Sequence, residues 1–73
     1  MKRKTAQRIC EEINVLDCGC AAVIVEVGTL YHPDFPCAVR VDRDGHEVGY
    51  AGQASEAQYL ADRIKSQFAT VAG

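Results

Sequence analysis

The segment from residue 37 to residue 51, CAVRVDRDGHEVGYA, restricts the fold of this chain more than any other part of its sequence. Its centre, Asp44-Gly45, is a preferred two-residue type I′ loop, because both central positions of that turn need positive φ. The alternating apolar residues on either side predict two antiparallel strands. The turn predicts three cross-strand pairs: Arg43 with His46, Val41 with Val48, and Val39 with Tyr50.

This register divides the predicted hairpin into two faces, because successive side chains of a strand point to opposite sides. The face that we expect in the core carries Cys37, Val39, Val41, Val48 and Tyr50. The face that we expect to point away carries Arg40, Asp42, Glu47 and Gly49. A slip of one residue would set valine against glutamate or glycine, so the apolar pattern and the turn agree.

Two helices and one further strand are predicted around the hairpin. Residues 5–16 place apolar side chains at offsets of three and four, which is typical of an amphipathic helix. Residues 20–27, CAAVIVEV, are β-branched and bounded by glycines, and they predict a strand. Ser55 and Gln58 have the spacing of a capping box that opens the second helix. The apolar stripe of that helix is Ala57, Leu60, Ala61, Ile64, Phe68 and Val71.

These elements follow in the order α–β–β–β–α, so the predicted fold class is α+β. Each helix has one apolar stripe and the strands supply one apolar face. We therefore expect a three-stranded antiparallel meander with both helices packed on one face. A chain of 73 residues predicts one domain, residues 1–73. We expect the basic residues 1–4 to form a frayed N-terminus.

The sheet face opposite the helices is a candidate binding surface. On the strand of residues 20–27 we expect Val23, Val25 and Val27 to face the helices. The predicted open face sets Ala22, Ile24, Ala38 and Ala51 among Glu26, Arg40 and Glu47. Small apolar residues make a flat patch that another molecule or a second copy of the chain could cover. The alternative is an ordinary mixed surface.

The connection YHPDFPC, residues 31–37, combines two aromatic residues with two prolines. The prolines push His32 and Phe35 toward extended conformations, so the connection is stiff. It either presents an aromatic lip to a partner or folds Tyr31 and Phe35 over the edge of the core. Together with charged residues of the hairpin, the predicted partner-binding residues are Tyr31, His32, Asp34, Phe35, Arg40, Asp42, Asp44 and Glu47.

The charge distribution supports an alternative function. The net charge is −2, yet four of the eight basic residues lie within the first eight positions. A basic segment on an otherwise acidic chain is one sign of nucleic-acid binding. Proteins that bind a phosphate backbone, however, normally spread Lys and Arg over a whole face. In this alternative the binding residues are Lys2, Arg3, Lys4, Arg8, Arg40 and Arg43.

The cysteines and the apolar runs indicate a cellular location. No hydrophobic secretory segment follows the basic N-terminus, so we expect a cytoplasmic protein with reduced thiols. The longest apolar run, AAVIVEV, is far too short to cross a bilayer, and we expect no membrane partner.

Neither a metal site nor an active site is predicted. A zinc site would join Cys18, Cys20 and Cys37 with His32 or His46, but the C-x-C pair has no second close pair to complete a tetrahedron. A cysteine nucleophile would need a histidine in reach, and no nucleophile elbow, phosphate loop or paired-carboxylate signature accompanies it. We therefore predict no cofactor, no metal and no enzymatic activity.

The predicted hairpin of residues 37–51 and the last predicted helix resemble part of a double-stranded-RNA-binding domain. The similar segment is VRVDRDGHEVGYAGQASEAQYLADRI, residues 39–64, including Gly52, Ser55 and Ala57, and the element order agrees over about residues 5–71. In that family, lysines opening the final helix grip the phosphates. This chain has Glu56 and Gln58 there, so the resemblance implies the shape rather than the duplex contact.

A second resemblance is one of protein type. A short αβββα chain with an acidic body and no catalytic constellation looks like the accessory proteins of phages and prophages, among which are the anti-CRISPR inhibitors. This resemblance implies a stoichiometric binder that occupies a surface of a host nucleoprotein complex. Our prediction is therefore a non-enzymatic protein-binding module of this kind. The alternatives are a nucleic-acid-binding module and a small homodimeric structural or regulatory protein.

Overall fold

The computed structural model describes residues 1–16, 18–28 and 36–68. Five elements follow in the predicted order: α1 Arg3–Asn14, β1 Cys20–Glu26, β2 Cys37–Arg43, β3 His46–Ala51 and α2 Ala54–Phe68. The predicted continuation of the last apolar stripe to Val71 lies outside the described residues.

The three strands form one antiparallel sheet in the order β1–β2–β3. Both helices pack on this sheet and against each other. A single cluster of buried apolar side chains joins them to one face of the sheet, and its largest members include Ile9, Ile13, Ile64, Val39 and Val41. The predicted α+β fold, an αβββα meander with both helices on one face, is confirmed. Within the described residues, no helix is both long and apolar enough to span a bilayer.

The predicted turn of the hairpin is confirmed. Asp44 has φ 55° and Gly45 has φ 82°, both positive as a type I′ turn requires. Arg43 pairs with His46 next to the turn, as predicted.

The pairing beyond the turn differs from the prediction because β3 contains a bulge. Asp42 pairs with Glu47, but Val41 then pairs with Gly49, so Val48 is the extra residue. The predicted pair of Val41 with Val48 is therefore wrong. Val48 still packs against the core from its partly buried position.

The bulge reverses the faces of the last three residues of β3. Val39 pairs with Ala51 instead of Tyr50. Ala51 is buried in the core, and Tyr50 is 50% exposed on the other face, which corrects its predicted place in the core. Gly49 lies under Leu60 of α2, where even a Cβ atom would collide with the Leu60 side chain. The bulge therefore places the residue without a side chain at the closest approach of helix and strand.

The set of β1 side chains that points to the core is also the opposite of the predicted one. Ala22 pairs with Val41 and Ile24 with Val39, so these two residues of β1 share the core face of β2. Ala22 is only 6% exposed, whereas Val23 is 42% exposed on the outside. The expectation that Ala22, Ile24 and Ala51 lie on the open face is therefore wrong.

Asn14, the last residue of α1, fixes β1 at this point. Its Oδ1 accepts a hydrogen bond from the Ala22 N–H at 2.8 Å, and its Nδ2 donates to the Ala22 carbonyl at 3.1 Å. β1 is an edge strand, so its outward backbone groups lack a neighbouring strand. The Asn14 side chain takes the place of that neighbour at Ala22.

Replacing Asn14 by alanine is expected to lower the free energy of unfolding by about 1–2 kcal/mol, because two partly buried backbone groups lose their partners. Alanine is the better helix former, so propensity alone would give the opposite sign. Urea denaturation measures the change, and Gln7→Ala on the exposed side of α1 is the matched control. Equal stabilities for the two variants would contradict this role of Asn14.

The N-terminus is part of the fold. The Met1 side chain is buried in the core, and the Met1 carbonyl accepts a hydrogen bond from the Cys37 N–H at 3.0 Å. α1 begins at Arg3, inside the segment for which we expected fraying. The apolar first side chain and its backbone contact to β2 account for the difference.

A polar network joins the two helices above the core. The Glu12 carboxylate accepts hydrogen bonds from Lys65 Nζ at 2.7 Å and Arg8 Nη1 at 3.1 Å. Arg8 also donates to Gln58 Oε1 at 3.1 Å. The hydrogen bond from Lys65, more than the contacts with Gln58 and Arg8, holds the pKa of Glu12 below its usual value.

We expect acid to destabilise the fold partly because the Glu12 carboxylate becomes protonated. Because its pKa is lower folded than unfolded, its contribution is present above the ordinary glutamate pKa and is lost as the pH falls through the folded value. Thermal unfolding at about pH 6 and about pH 3 should show a smaller loss for Glu12→Gln than for the unchanged protein. Glu11→Gln, the exposed neighbour, should behave like the unchanged protein. The same loss in both variants would exclude this role.

Candidate binding surface

The sheet presents one face to the helices and the other away from them. We call the second the outer sheet face, and its members follow from strand alternation and the observed register. They are Ala21, Val23, Val25, Ala38, Arg40, Asp42, Glu47 and Tyr50. Ala38 is buried, whereas Val23, Arg40, Glu47 and Tyr50 are exposed.

One row of side chains crosses the middle of the outer sheet face. Val23 pairs with Arg40, and Arg40 pairs with Tyr50, so the row runs through all three strands. Side chains directly opposite each other on one face lie about 5 Å apart at Cβ. An arginine is therefore flanked by an aliphatic and an aromatic side chain.

Charged residues surround this row. Arg40 Nη2 lies 3.2 Å from Asp42 Oδ2, an ion pair within the outer sheet face. Asp42 pairs across the strands with Glu47, as predicted. At the adjacent turn, Asp44 is exposed and lies 3.6 Å from Arg43 Nη1. The hairpin end of the face therefore carries charges of both signs, with Asp42, Asp44 and Glu47 beside Arg40 and Arg43.

The structure brings together part of the predicted partner-binding set. Arg40, Asp42 and Glu47 lie on the outer sheet face, and Asp44 lies in the turn beside it. The other predicted members, Tyr31, His32, Asp34 and Phe35, lie outside the described residues.

Sequence reasoning missed Val23 and Tyr50, the two largest exposed apolar side chains of this face. The missing information was the bulge at Val48 and the facing of β1, for which the sequence carries no local signal. Tyr59 is a different case. It is 69% exposed on α2, and its position off the apolar stripe of that helix is readable from the sequence.

A shallow depression lies between β3 and α2, beside the outer sheet face. Tyr50 lines it from the strand, and Glu56, Tyr59 and Arg63 line it from the helix. Arg63 Nη2 donates to the Val48 carbonyl at 3.3 Å, so the bulge in this edge strand is held by a side chain.

The six residues of the nucleic-acid alternative do not share one surface. Arg40 lies on the outer sheet face and Arg43 lies beside the hairpin turn, whereas Arg3, Lys4 and Arg8 belong to α1. Lys2 precedes α1 and lines a cavity together with Ala38 and Tyr50. The four arginines outside α2 each lie beside a carboxylate: Arg3 beside Glu26, Arg8 beside Glu12, Arg40 beside Asp42, and Arg43 beside Asp44. Partnered arginines offer less charge to a phosphate backbone than free ones.

The cysteines fall into two groups. Cys10 and Cys37 are buried, and Cys18 and Cys20 are partly buried. Burial raises the pKa of the Cys10 thiol, which makes it a poor nucleophile. Cys20 lies at one end of the paired strands β1 and β2, and Cys37 lies at the other end. Cys37 therefore cannot share a metal ion with Cys18 and Cys20. Among the described residues, no three His, Cys, Asp or Glu side chains are placed to hold a metal ion.

No protein-family model matches this chain, and comparisons with curated proteins and with solved structures give no match. The two resemblances drawn from the sequence stay predictions.

Proposed function

We propose that this protein is a non-enzymatic protein-binding module that contacts its partner through the outer sheet face. The observation that supports this best is the central row of Val23, Arg40 and Tyr50, which lies opposite the face that the helices cover. Tyrosine and arginine are the residue types enriched where interfaces carry most of their binding energy. A neighbouring apolar side chain adds surface whose burial favours association.

The row is also preorganised. Its three residues belong to hydrogen-bonded strands, so their backbone is ordered before a partner arrives. The contact between Arg40 and Asp42 orients the guanidinium on the face. Binding therefore costs less conformational entropy than it would on a loop.

Within this proposal the partner is a surface of a host nucleoprotein complex, and the protein is a phage-encoded inhibitor of the anti-CRISPR type. Such complexes hold their nucleic acid in positively charged channels. At the hairpin end, the exposed Glu47 supplies negative charge that is complementary to a positive surface, whereas Asp42 and Asp44 already lie beside Arg40 and Arg43. Electrostatic steering would mainly raise the association rate, so doubling the salt concentration should slow association. An association rate indifferent to salt would count against the charge role.

Replacing Tyr50 by alanine is expected to weaken partner binding by roughly tenfold or more, because a central aromatic contact is lost. Immobilised protein would capture the partner from a bacterial lysate, and titration with the purified complex would give the affinity. Val23→Ser should weaken binding in the same direction. Tyr59→Ala, an exposed tyrosine on α2, is the matched control and should retain affinity within about twofold.

Three results would replace this proposal. Equal losses from Tyr50→Ala and Tyr59→Ala would move the site to the depression between β3 and α2. Salt-sensitive binding to duplex RNA or DNA, lost in a Lys2→Ala/Lys4→Ala variant, would favour the nucleic-acid-binding module. A dimer mass in light scattering that Tyr50→Ala reduces to a monomer would assign the outer sheet face to a second copy of the chain.

A further inference from the structure

The turn between α1 and β1 holds two cysteines around a glycine. Gly19 has φ 84°, in the left-handed region that residues with side chains avoid. Cys18 and Cys20 on either side are both partly buried and pack against the rim of the core. Cys10 and Cys37 are buried and belong to other parts of the fold.

The two thiols of this turn are in contact with each other. Burial raises the pKa of Cys20 most, and a hydrogen bond with the Cys18 side chain raises it further. Cys20 therefore keeps its proton to higher pH and can donate it to the Cys18 sulfur. This hydrogen bond places the two side chains on the same side of the turn.

A positive charge lies beside the same turn. Arg43 pairs with Cys20 across the strands, and its Nε lies 3.8 Å from the position that a Cβ on Gly19 would occupy. Burial and the contact with Cys18 raise the pKa of Cys20 more than Arg43 lowers it, so the net shift is upward. Asp44, the acidic neighbour of Arg43, acts on Cys20 in the direction opposite to Arg43.

We propose that Cys18 and Cys20 are a reversible dithiol–disulfide pair, oxidised by a low-molecular-weight disulfide such as glutathione disulfide. The Cys18 thiolate attacks one sulfur of that disulfide and releases one thiol. The Cys20 sulfur then loses its proton, attacks Cys18 in the mixed disulfide and releases the second thiol. Two electrons pass from the protein to the oxidant, and one disulfide is exchanged for another.

The geometry selects this pair among the four cysteines. A disulfide needs Cα atoms about 4.4–6.8 Å apart, which a bend at one intervening residue can provide. Cys37 lies at the far end of the β1–β2 ladder, opposite Glu26. Cys10 faces the core from the middle of α1. This inference does not depend on the proposed function, because the outer sheet face contains neither cysteine.

The experiment is a redox titration of the folded protein in glutathione buffers, followed by acid quenching, alkylation of free thiols and mass spectrometry. Cleavage after Glu12 and Glu26 isolates residues 13–26, which carry Cys18 and Cys20 without the other two cysteines. We expect this fragment to lose both alkylation sites together and to lose two hydrogen atoms in mass, without retained glutathione. The change should reverse with excess reduced glutathione.

Variants make the test specific. Cys18→Ser should remove the internal disulfide and leave a single glutathione adduct on Cys20, while Cys10→Ser should leave the paired transition unchanged. If a variant fails to fold, the titration of the unchanged protein still distinguishes an internal disulfide between Cys18 and Cys20 from separate oxidation of each thiol. Separate glutathione adducts on Cys18 and Cys20, or two free thiols at the most oxidising ratio, would overturn the proposal.

Discussion

Replacing Ile64 by alanine is expected to lower the free energy of unfolding by about 2–5 kcal/mol, the largest effect foreseen for a single substitution in this protein. Ile64 is fully buried where α2 meets the core, beside Leu60 and Ala61. The change removes three carbon atoms and leaves a cavity that the surrounding side chains fill only in part. Small domains have total stabilities of only about 5–15 kcal/mol, so a substantial unfolded fraction should appear.

Urea or thermal denaturation followed by circular dichroism measures this change. Tyr59→Ala is the matched control, because it removes a larger side chain from the same helix at an exposed position. It should change stability by about 0.5 kcal/mol or less. A cost for Ile64→Ala no larger than that of the control would mean that α2 does not pack on the sheet through this stripe.

Replacing Gly49 by alanine is expected to cost about 1–3 kcal/mol, although it adds only one methyl group. A Cβ at this position would lie 2.3 Å from Leu60 Cδ1 and 3.1 Å from Leu60 Cδ2. Leu60 is buried in the core and cannot turn away without displacing its neighbours. The strand must then move away from α2, or Leu60 must leave its rotamer.

The control for this prediction is Gly52→Ala. A Cβ on Gly52 would meet no heavy atom within 4 Å, so this substitution should be nearly neutral. Both variants reduce the freedom of the unfolded chain equally, and their difference therefore isolates the contact with Leu60. If the two variants unfold at the same denaturant concentration, the bulge does not place Gly49 under α2.

The pair of predictions on Gly49 and Tyr50 has a bearing on function. The bulge at Val48 both sets Gly49 against Leu60 of α2 and turns Tyr50 to the outer sheet face. A substitution that shifts β3 away from α2 would therefore disturb the central row of the proposed binding surface. Binding measurements on Gly49→Ala should be made only on the folded fraction of the protein.

The outer sheet face was only partly predictable. Asp42 and Glu47 follow from the turn at Asp44-Gly45, because the two residues nearest the turn on each strand keep the predicted pairing. The face of Arg40 follows from alternation along β2, since the bulge lies in β3. The prediction that Val23 faces the helices is wrong, because both alternating sets of β1 are apolar enough to be buried. Tyr50 was misassigned because an aromatic residue at an alternating position is ordinarily a core residue.

The sequence by itself determined the order of the elements, the place and type of the hairpin turn, and the apolar stripe of α2. These are local properties, set by backbone preferences at Asp44 and Gly45 and by spacing along one helix. Only the tertiary structure decided which face of β1 is buried, where β3 bulges and which tyrosine is exposed. The physical reason is that those choices depend on close packing between distant residues, such as Gly49 with Leu60 and Asn14 with Ala22, whose fit no local pattern encodes.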